Sequence, residues 1–519
     1  MQTRFESTEN RKKMLTCAGY KVIEMWECQF EREIERDYAL AKFLKEQPIP
    51  KEIPLNPRDA FYGGRTNALR LYHKACGATG EKIKYTDICS LYPYVNKYGA
   101  YPVGHPTIYV GAECPPLNDL EGVVKCDVLP PTELYHPVLP MKGNGKLLFP
   151  LCRTCALEEN QGDCRHEEAE RMLTGTWVTC ELKKAVSLGY IIVKMHEAWS
   201  YEVTQYNRET GEGGLFAEYI NAFLKLKQEA SGWPSWCVTE EKKEEYLRKF
   251  REREGVDLDK ISISHNPGKR SLAKLLLNSF WGKLGQRDNL TQTTVIKQSD
   301  ALNSLLTDPN VDVQRLVEVN EDTIYAHWTE KEESVSPSSS SGIIMACYTT
   351  AQARLELYKY LENLQRRVLY HDTDSIIFTE KPGEWSPPIG DYLGDMTDEV
   401  APLGPDCYIS EFVSGGPKNY AYVVRSSSNS KFKKSVCKVR GITINSSNDG
   451  VVCFETLKAM LLNDEPGRTV EYSHKIARMK NHDIVSKPES KLFRIVYTKR
   501  KRLENFDTLP YGYKKRRLL

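Results

Sequence analysis

Two acidic segments carry the strongest chemical signal. In Tyr370-His371-Asp372-Thr373-Asp374-Ser375, two carboxylates stand two residues apart between the apolar runs Val368-Leu369 and Ile376 to Phe378. That pattern predicts two strands joined by an acidic turn, with Asp372 and Asp374 on one face. Alone, its ordinary reading is an exposed turn in which Asp serves local hydrogen bonding. The second segment, Lys84 to Pro93, places Asp87 at the end of a strand, where alone it could be a helix N-cap. Held together, carboxylates repel, and a divalent cation is the usual remedy. Three of them on neighbouring strands suit a site where two cations ~3.5–4 Å apart clamp the attacking and leaving oxygens of a phosphoryl transfer.

A third segment is helical. Arg270, Lys274, Asn278 and Trp281 share one face, while Ala273, Leu277, Phe280 and Leu284 form an apolar stripe. The cations and amide on the first face could hold a triphosphate, or form an ordinary solvated surface. A fourth group is Cys152-Arg153-Thr154-Cys155 followed by Cys164-Arg165-His166. Four soft or borderline ligands in two close pairs fit tetrahedral structural zinc, with Cys180 as a substitute ligand. The plain alternative is a set of reduced surface thiols.

These residues need elements to hold them. The pattern predicts a short strand over 20–25, a charged helix over 30–45, and a linker punctuated by Pro48, Pro50, Pro54 and Pro57. The pair Gly63 and Gly64 opens the next unit, and residues 81–93 read as a strand running into a turn at Pro93. Short β-like runs over 100–216 precede helices near 216–230, 239–254 and 269–283. Ser334 to Ser341 reads as a flexible loop, before a helix over 346–365 and a hairpin over 367–379. The order suggests α+β rather than an alternating parallel sheet.

Composition agrees with a large enzyme. The chain has 519 residues and a net charge of +2 from 72 basic and 70 acidic side chains, which excludes a polycationic tail but not a basic cleft. No uncharged apolar run approaches the ~20 residues of a membrane span, so no membrane association is expected. The first twenty residues lack the apolar core of a secretory signal. The 15 cysteines are therefore read as intracellular thiols and metal ligands, with nucleus or cytoplasm left open. The basic clusters Lys499 to Arg502 and Lys514 to Arg517 read as import signals, phosphate contacts or plain solvated ends.

Taken in order, DxxSLYP (Asp87 to Pro93), KxxxNSxxG (Lys274 to Gly282) and YxDTDS (Tyr370 to Ser375) resemble the motifs of family B DNA polymerases. Thr350 to Arg354 (TAQAR), Lys418-Asn419-Tyr420, and the Gly63-Gly64 turn extend the resemblance. The GGRTNA start, the Cys/His cluster and the TLPYGY end (Thr508 to Tyr513) resemble the protein-primed branch, nearest in type to the polymerases of Polinton/Maverick transposons.

The resemblance implies a right-hand fold of palm, fingers and thumb with a zinc-binding-like insertion. It implies an N-terminal segment and linker over 1–60 and palm over 61–150 and 346–440. Fingers would span 216–285, insertions 151–215 and 286–345, and the thumb with a basic C-terminus 441–519. Asp87 and Asp374 would bind two Mg²⁺, with Asp372 nearby. Ser90, Leu91, Tyr92, Arg270, Lys274, Asn278 and Trp281 would form the deoxynucleotide site, Tyr92 excluding a 2′-hydroxyl. Trp281 stands where the family has Tyr, keeping the flat surface and losing the hydroxyl. Gly63, Gly64, Thr350, Arg354, Lys418 and Tyr420 would contact DNA. The partners implied are template, primer, deoxynucleoside triphosphates and a terminal protein. About 60 residues precede Gly63, too few for the branch's proofreading exonuclease, so an exonuclease-less form or a piece of a longer protein is expected. Competing readings are an idle, transposon-derived nucleic-acid-binding protein and a reverse transcriptase.

Overall fold

The computed structural model describes residues 2–46, 53–335, 342–479 and 482–515. Residues 336–341 of the serine-rich stretch, Pro48 and Pro50 of the linker, and Arg516 and Arg517 of the basic end lie outside the described residues. The chain divides into two units, Met1–Pro54 and Leu55–Leu519. Among its described residues the first holds three helices, Gln2–Cys17, Glu27–Arg36 and Tyr38–Glu46. The strand expected over 20–25 does not form, because no partner strand exists among the described residues of that unit to complete its hydrogen bonds. The single expected helix over 30–45 is broken at Asp37, whose carboxylate accepts from the Ala39 and Leu40 amides and so starts a new helix. Leu55 to Ala60, read as linker, belongs to the second unit. The Leu55 amide donates to Glu197, and Ala60 is buried.

The second unit is built on a sheet of nine antiparallel-paired strands. In chain order these are β1 (Thr66–Ala68), β2 (Tyr72–Lys74), β3 (Lys82–Ile88), β4 (Val368–Asp372), β5 (Ser375–Glu380), β6 (Met396–Asp398), β7 (Cys407–Gly416), β8 (Asn419–Ser426) and β9 (Lys433–Val439). They lie in the order β1-β4-β5-β3-β7-β8-β9, with β6 also on β3 and β2 also on β7. Mixed helices and an antiparallel sheet make the fold α+β.

Six helices matter for the site: α1 (Leu91–Tyr98), α2 (Ala217–Glu229), α3 (Glu240–Glu254), α4 (Pro267–Leu284), α5 (Ile343–Leu364) and α6 (Phe454–Leu462). The sheet is covered on both faces, which explains the unbroken apolar run of β5. Ile376 and Phe378 pack with Leu357 and Leu361 of α5, while Ile377 points to the opposite core with Leu457 of α6. Pro93 does not end the strand in a turn as expected. It sits in the first turn of α1, where its missing amide N–H costs nothing.

The remaining sheets are smaller. One has the order Tyr101–Val110, Ile191–Thr204, Gly122–Leu129, Leu173–Val178. Another has the order Gln292–Ile296, Thr323–Glu330, Val311–Asn320, and Arg468–Arg478 forms a hairpin with Ile484–Phe493. No helix among the described residues is long and apolar enough to cross a membrane.

Candidate active site

Strand register brings the acidic segments together. Thr66 faces Asp372, Asp372 faces Ser375, Ser375 faces Asp87, and Asp87 faces Thr397, so one row crosses β1, β4, β5, β3 and β6. Asp374 sits in the tight turn between β4 and β5. Thr373 takes up the reversal in the left-handed region at φ 59°, its amide donating to the Arg65 carbonyl at 2.8 Å. The Ile88 amide donates to the Asp374 carbonyl at 2.7 Å, which locks the turn to the end of β3. Gly64 leaves room for this turn, since a Cβ there would lie 2.5 Å from Thr373 Oγ1.

Asp87, Asp372 and Asp374 line one open cavity of about 450 Å³ with Tyr85, Lys418, Tyr420, Lys438 and Arg440. The three carboxylates are not equivalent. Lys418 Nζ donates to both Asp372 oxygens at 2.9 Å, and Thr66 Oγ1 donates to Asp372 Oδ1 at 2.7 Å. Asp372 is therefore matched by a cation. Burial, then the neighbouring Asp374 and Glu399 charges, push Asp87 up to about 7, against the pull of Lys274 and Lys438. Burial is also the main cause that lifts Asp374 to about 6, with Asp372 adding to it. Half-buried carboxylate oxygens crowded by like charge are the donor chemistry that fits Mg²⁺, a hard cation preferring carboxylate and water oxygens. Asp87 and Asp374 would hold it.

Beside the cavity, α1 begins at Ser90, itself left-handed at φ 51°. Tyr92 stacks on Trp281 with ring centroids 4.6 Å apart and 26° between planes. Leu91 is buried and serves packing. The two stripes of α4 separate as its periodicity predicts. Ala273 and Leu277 are buried and Phe280 stacks on Tyr219, whereas Arg270, Lys274 and Asn278 are exposed. The helix starts with Asn266 accepting from the Lys269 amide and Pro267 in the first turn. A third cation joins from α2: Lys227 Nζ donates to Ser90 Oγ at 3.2 Å. Burial pushes its ammonium down, and the like charges of Arg270 and Lys274 push in the same direction. No motif marks Lys227, because it meets Ser90 from 137 positions away in the sequence.

Lys418 and Tyr420 lie at the β7–β8 turn. The Lys418 amide donates to Tyr370 Oη at 2.9 Å, and the Tyr420 and Tyr85 hydroxyls are 3.2 Å apart. Gly63 is exposed. Thr350 and Arg354 require a correction. Both are buried, and Arg354 is tightly held: its guanidinium is bidentate to Glu181 at 2.7 and 2.6 Å and donates to the Tyr62 and Gly63 carbonyls. With 3% of its surface exposed and its charge matched by Glu181, Arg354 anchors the chain before β1 and does not present its guanidinium at the surface where a DNA backbone was expected.

The Cys/His segment also converges. One donor atom each from Cys152, Cys155, Cys164 and His166 lies within 4.8 Å of the others. His166 Nδ1 is 3.4, 3.2 and 3.8 Å from the three sulfurs in that order. Tetrahedral bonds of ~2.3 Å to sulfur and ~2.0 Å to nitrogen imply edges of roughly 3.5 Å, so the set fits zinc. Cys180 is not part of this group and packs near Tyr348 instead.

A family model described as DNA polymerase type B, organellar and viral, matches residues 10–235 and 258–366. The chain is similar in structure to Phi29 DNA polymerase complexed with primer-template DNA, at TM-score 0.51 and 15% identity over 93% of this chain and 70% of that one. The ternary complex of Phi29 DNA polymerase with primer-template DNA and incoming nucleotide substrates gives TM-score 0.50 and 14% identity over 93% and 78%. At such identities the likeness is one of fold. No curated protein matches the chain significantly.

Proposed function

Because the chain belongs to the organellar and viral type B DNA polymerases, and so is a DNA-directed DNA polymerase, we propose that the cavity around Asp87 and Asp374 is its polymerisation centre. The observation that carries this reading is the single row joining Asp87 to Ser375 beside Asp374, flanked by the stacked Tyr92–Trp281 pair. When bound there, a pair of Mg²⁺ ions supplies Lewis-acid stabilisation of the attacking and leaving oxygens. The chain's own residues do the rest. Arg270, Lys274 and Lys227 neutralise and orient the triphosphate. Trp281 gives the base an apolar face, and Asn278 and Ser90 line the nucleotide site. Lys418 holds Asp372 away from the cation-binding pair and, with Tyr420, faces the primer end. Residues 61–150 and 346–440 serve as palm, 216–285 as fingers and 441–519 as thumb. The four ligands of the 151–215 insertion hold a structural zinc. Extension of a primed DNA template in the presence of Mg²⁺ tests the whole reading, and no extension by folded protein would sink it.

Sugar choice follows from the Tyr92 ring. Pinned against Trp281, it cannot swing away from a nucleotide that carries a 2′-hydroxyl, and exclusion works by clash. Tyr92→Val is expected to raise ribonucleotide relative to deoxyribonucleotide incorporation, measured as the ratio of kcat/KM values. An unchanged ratio would count against this gate.

Initiation is part of the same proposal. The resemblance to the protein-primed, Polinton/Maverick type supports attack by a Ser, Thr or Tyr hydroxyl of a terminal protein where a primer 3′-hydroxyl otherwise sits, with the same chemistry. Residues 1–519 are expected to label such a protein with one deoxynucleotide. Good extension of DNA primers with no labelling of terminal proteins from the same element would remove the protein-primed reading alone.

A further inference from the structure

We infer that the Cys152–His166 metal site also braces the polymerisation centre, by anchoring the C-terminal segment that backs β1; this rests on the zinc reading above. The segment 497–514 is joined to the metal knuckle at several points. The Leu151 amide donates to the Tyr511 carbonyl at 2.7 Å. Gly512 adopts φ 86° and lies so close that a Cβ would be 2.3 Å from Cys152 Cβ. Gln161, between the ligand pairs, accepts from the Arg502 amide at 2.9 Å and donates to Tyr511 Oη at 3.3 Å. Lys514 Nζ donates to the carbonyl of the ligand His166 at 2.8 Å. Tyr511 is buried in the same core as Cys152 and Cys155.

The other side of the segment holds β1. Tyr497 Oη donates to the Ala68 carbonyl at 2.6 Å, the Thr508 amide to the Leu69 carbonyl at 2.9 Å, and Lys499 Nζ to the Thr66 carbonyl at 3.3 Å. Thr66 in turn donates its hydroxyl to Asp372. A continuous path therefore runs from the thiolate ligands through 497–514 and β1 to the carboxylate row. The knuckle itself has little regular structure beyond two short helices, Arg153–Leu157 and Glu168–Arg171, so the ion's ligation is what keeps its shape. The metal site is a positioning element, remote from the reacting atoms.

The test uses the full chain, purified without chelator. About one zinc per chain is expected. The metal is then stripped with a zinc-selective chelator and Mg²⁺ is kept in excess. Amide exchange within 66–71 and 497–514 is expected to quicken about tenfold or more, with α4 unchanged. Primer extension is expected to lose kcat while the KM for nucleotide holds, because Arg270, Lys274 and Lys227 are untouched. Gly512→Ala is expected to keep the zinc yet reproduce the faster exchange. Should it not fold, Gln161→Ala provides a milder version of the same change. Bound zinc whose removal leaves exchange in both segments unchanged would overturn the brace, with the zinc and polymerase readings standing. Freshly purified, active protein without zinc would overturn the brace and the zinc reading together, and leave the polymerase reading intact.

Discussion

Asp374→Asn is expected to lower single-turnover primer extension about ten-thousandfold, equivalent to about 5 kcal/mol of transition-state stabilisation. The amide keeps the size of the side chain and removes the charge. The turn is unaffected, because the backbone of Asp374, and not its carboxylate, accepts from Ile88. Arg270, Lys274, Lys227 and Lys418, the cations proposed to meet the nucleotide and the nucleic acid, remain, so DNA affinity measured by anisotropy is expected to stay within a few-fold of the parent. Near-parental turnover would remove Asp374 from the chemistry. Asp372→Asn is a useful contrast, since Asp372 already has its charge matched by Lys418.

Glu181→Ala is expected to destabilise the second unit by about 3–5 kcal/mol, because it leaves the Arg354 guanidinium charged, buried and unpaired. Both side chains are almost wholly out of solvent, so screening by salt offers little relief. Replacing both, as Glu181→Leu with Arg354→Met, is expected to recover most of the loss in denaturant midpoint. The double variant also separates two roles for Arg354. An anchor leaves the salt dependence of DNA binding unchanged, whereas a phosphate contact would make that slope shallower. A shallower slope would restore Arg354 to the DNA interface.

What could be read from sequence was what depends on local period. The stripes of α4, the helices over 217–229 and 240–254, and the hairpin around Asp372 and Asp374 follow from spacing within one element. Residues whose partners are distant were not legible. Lys227 reaches Ser90 across 137 positions, and Arg354 meets Glu181 across 173. Neither pairing leaves a local trace, so nothing in the sequence marks Lys227, and the DNA contact of Arg354 is an expectation that rests on the family resemblance of Thr350 to Arg354 alone. Tyr85, Lys438 and Arg440 went unremarked for the same reason. The strand expected over 20–25 fails for another reason: a strand needs a neighbour to pair with, and the described residues of the first unit provide none.

The row Thr66–Asp372–Ser375–Asp87–Thr397 has a consequence for how the protein is made. Its members come from segments that are synthesised far apart in time, with Asp87 waiting for Ser375, 288 positions later (375 − 87). Pairings of such sequence separation form late and slowly, because loop closure must precede any gain from contact. β3 therefore emerges with a naked edge and an unmatched carboxylate, well before β5 exists to cover it, and such edges invite association with other chains. A nascent chain stopped in the serine-rich stretch would already carry Lys227, Arg270 and Lys274 on α2 and α4 and still lack the acidic turn between β4 and β5.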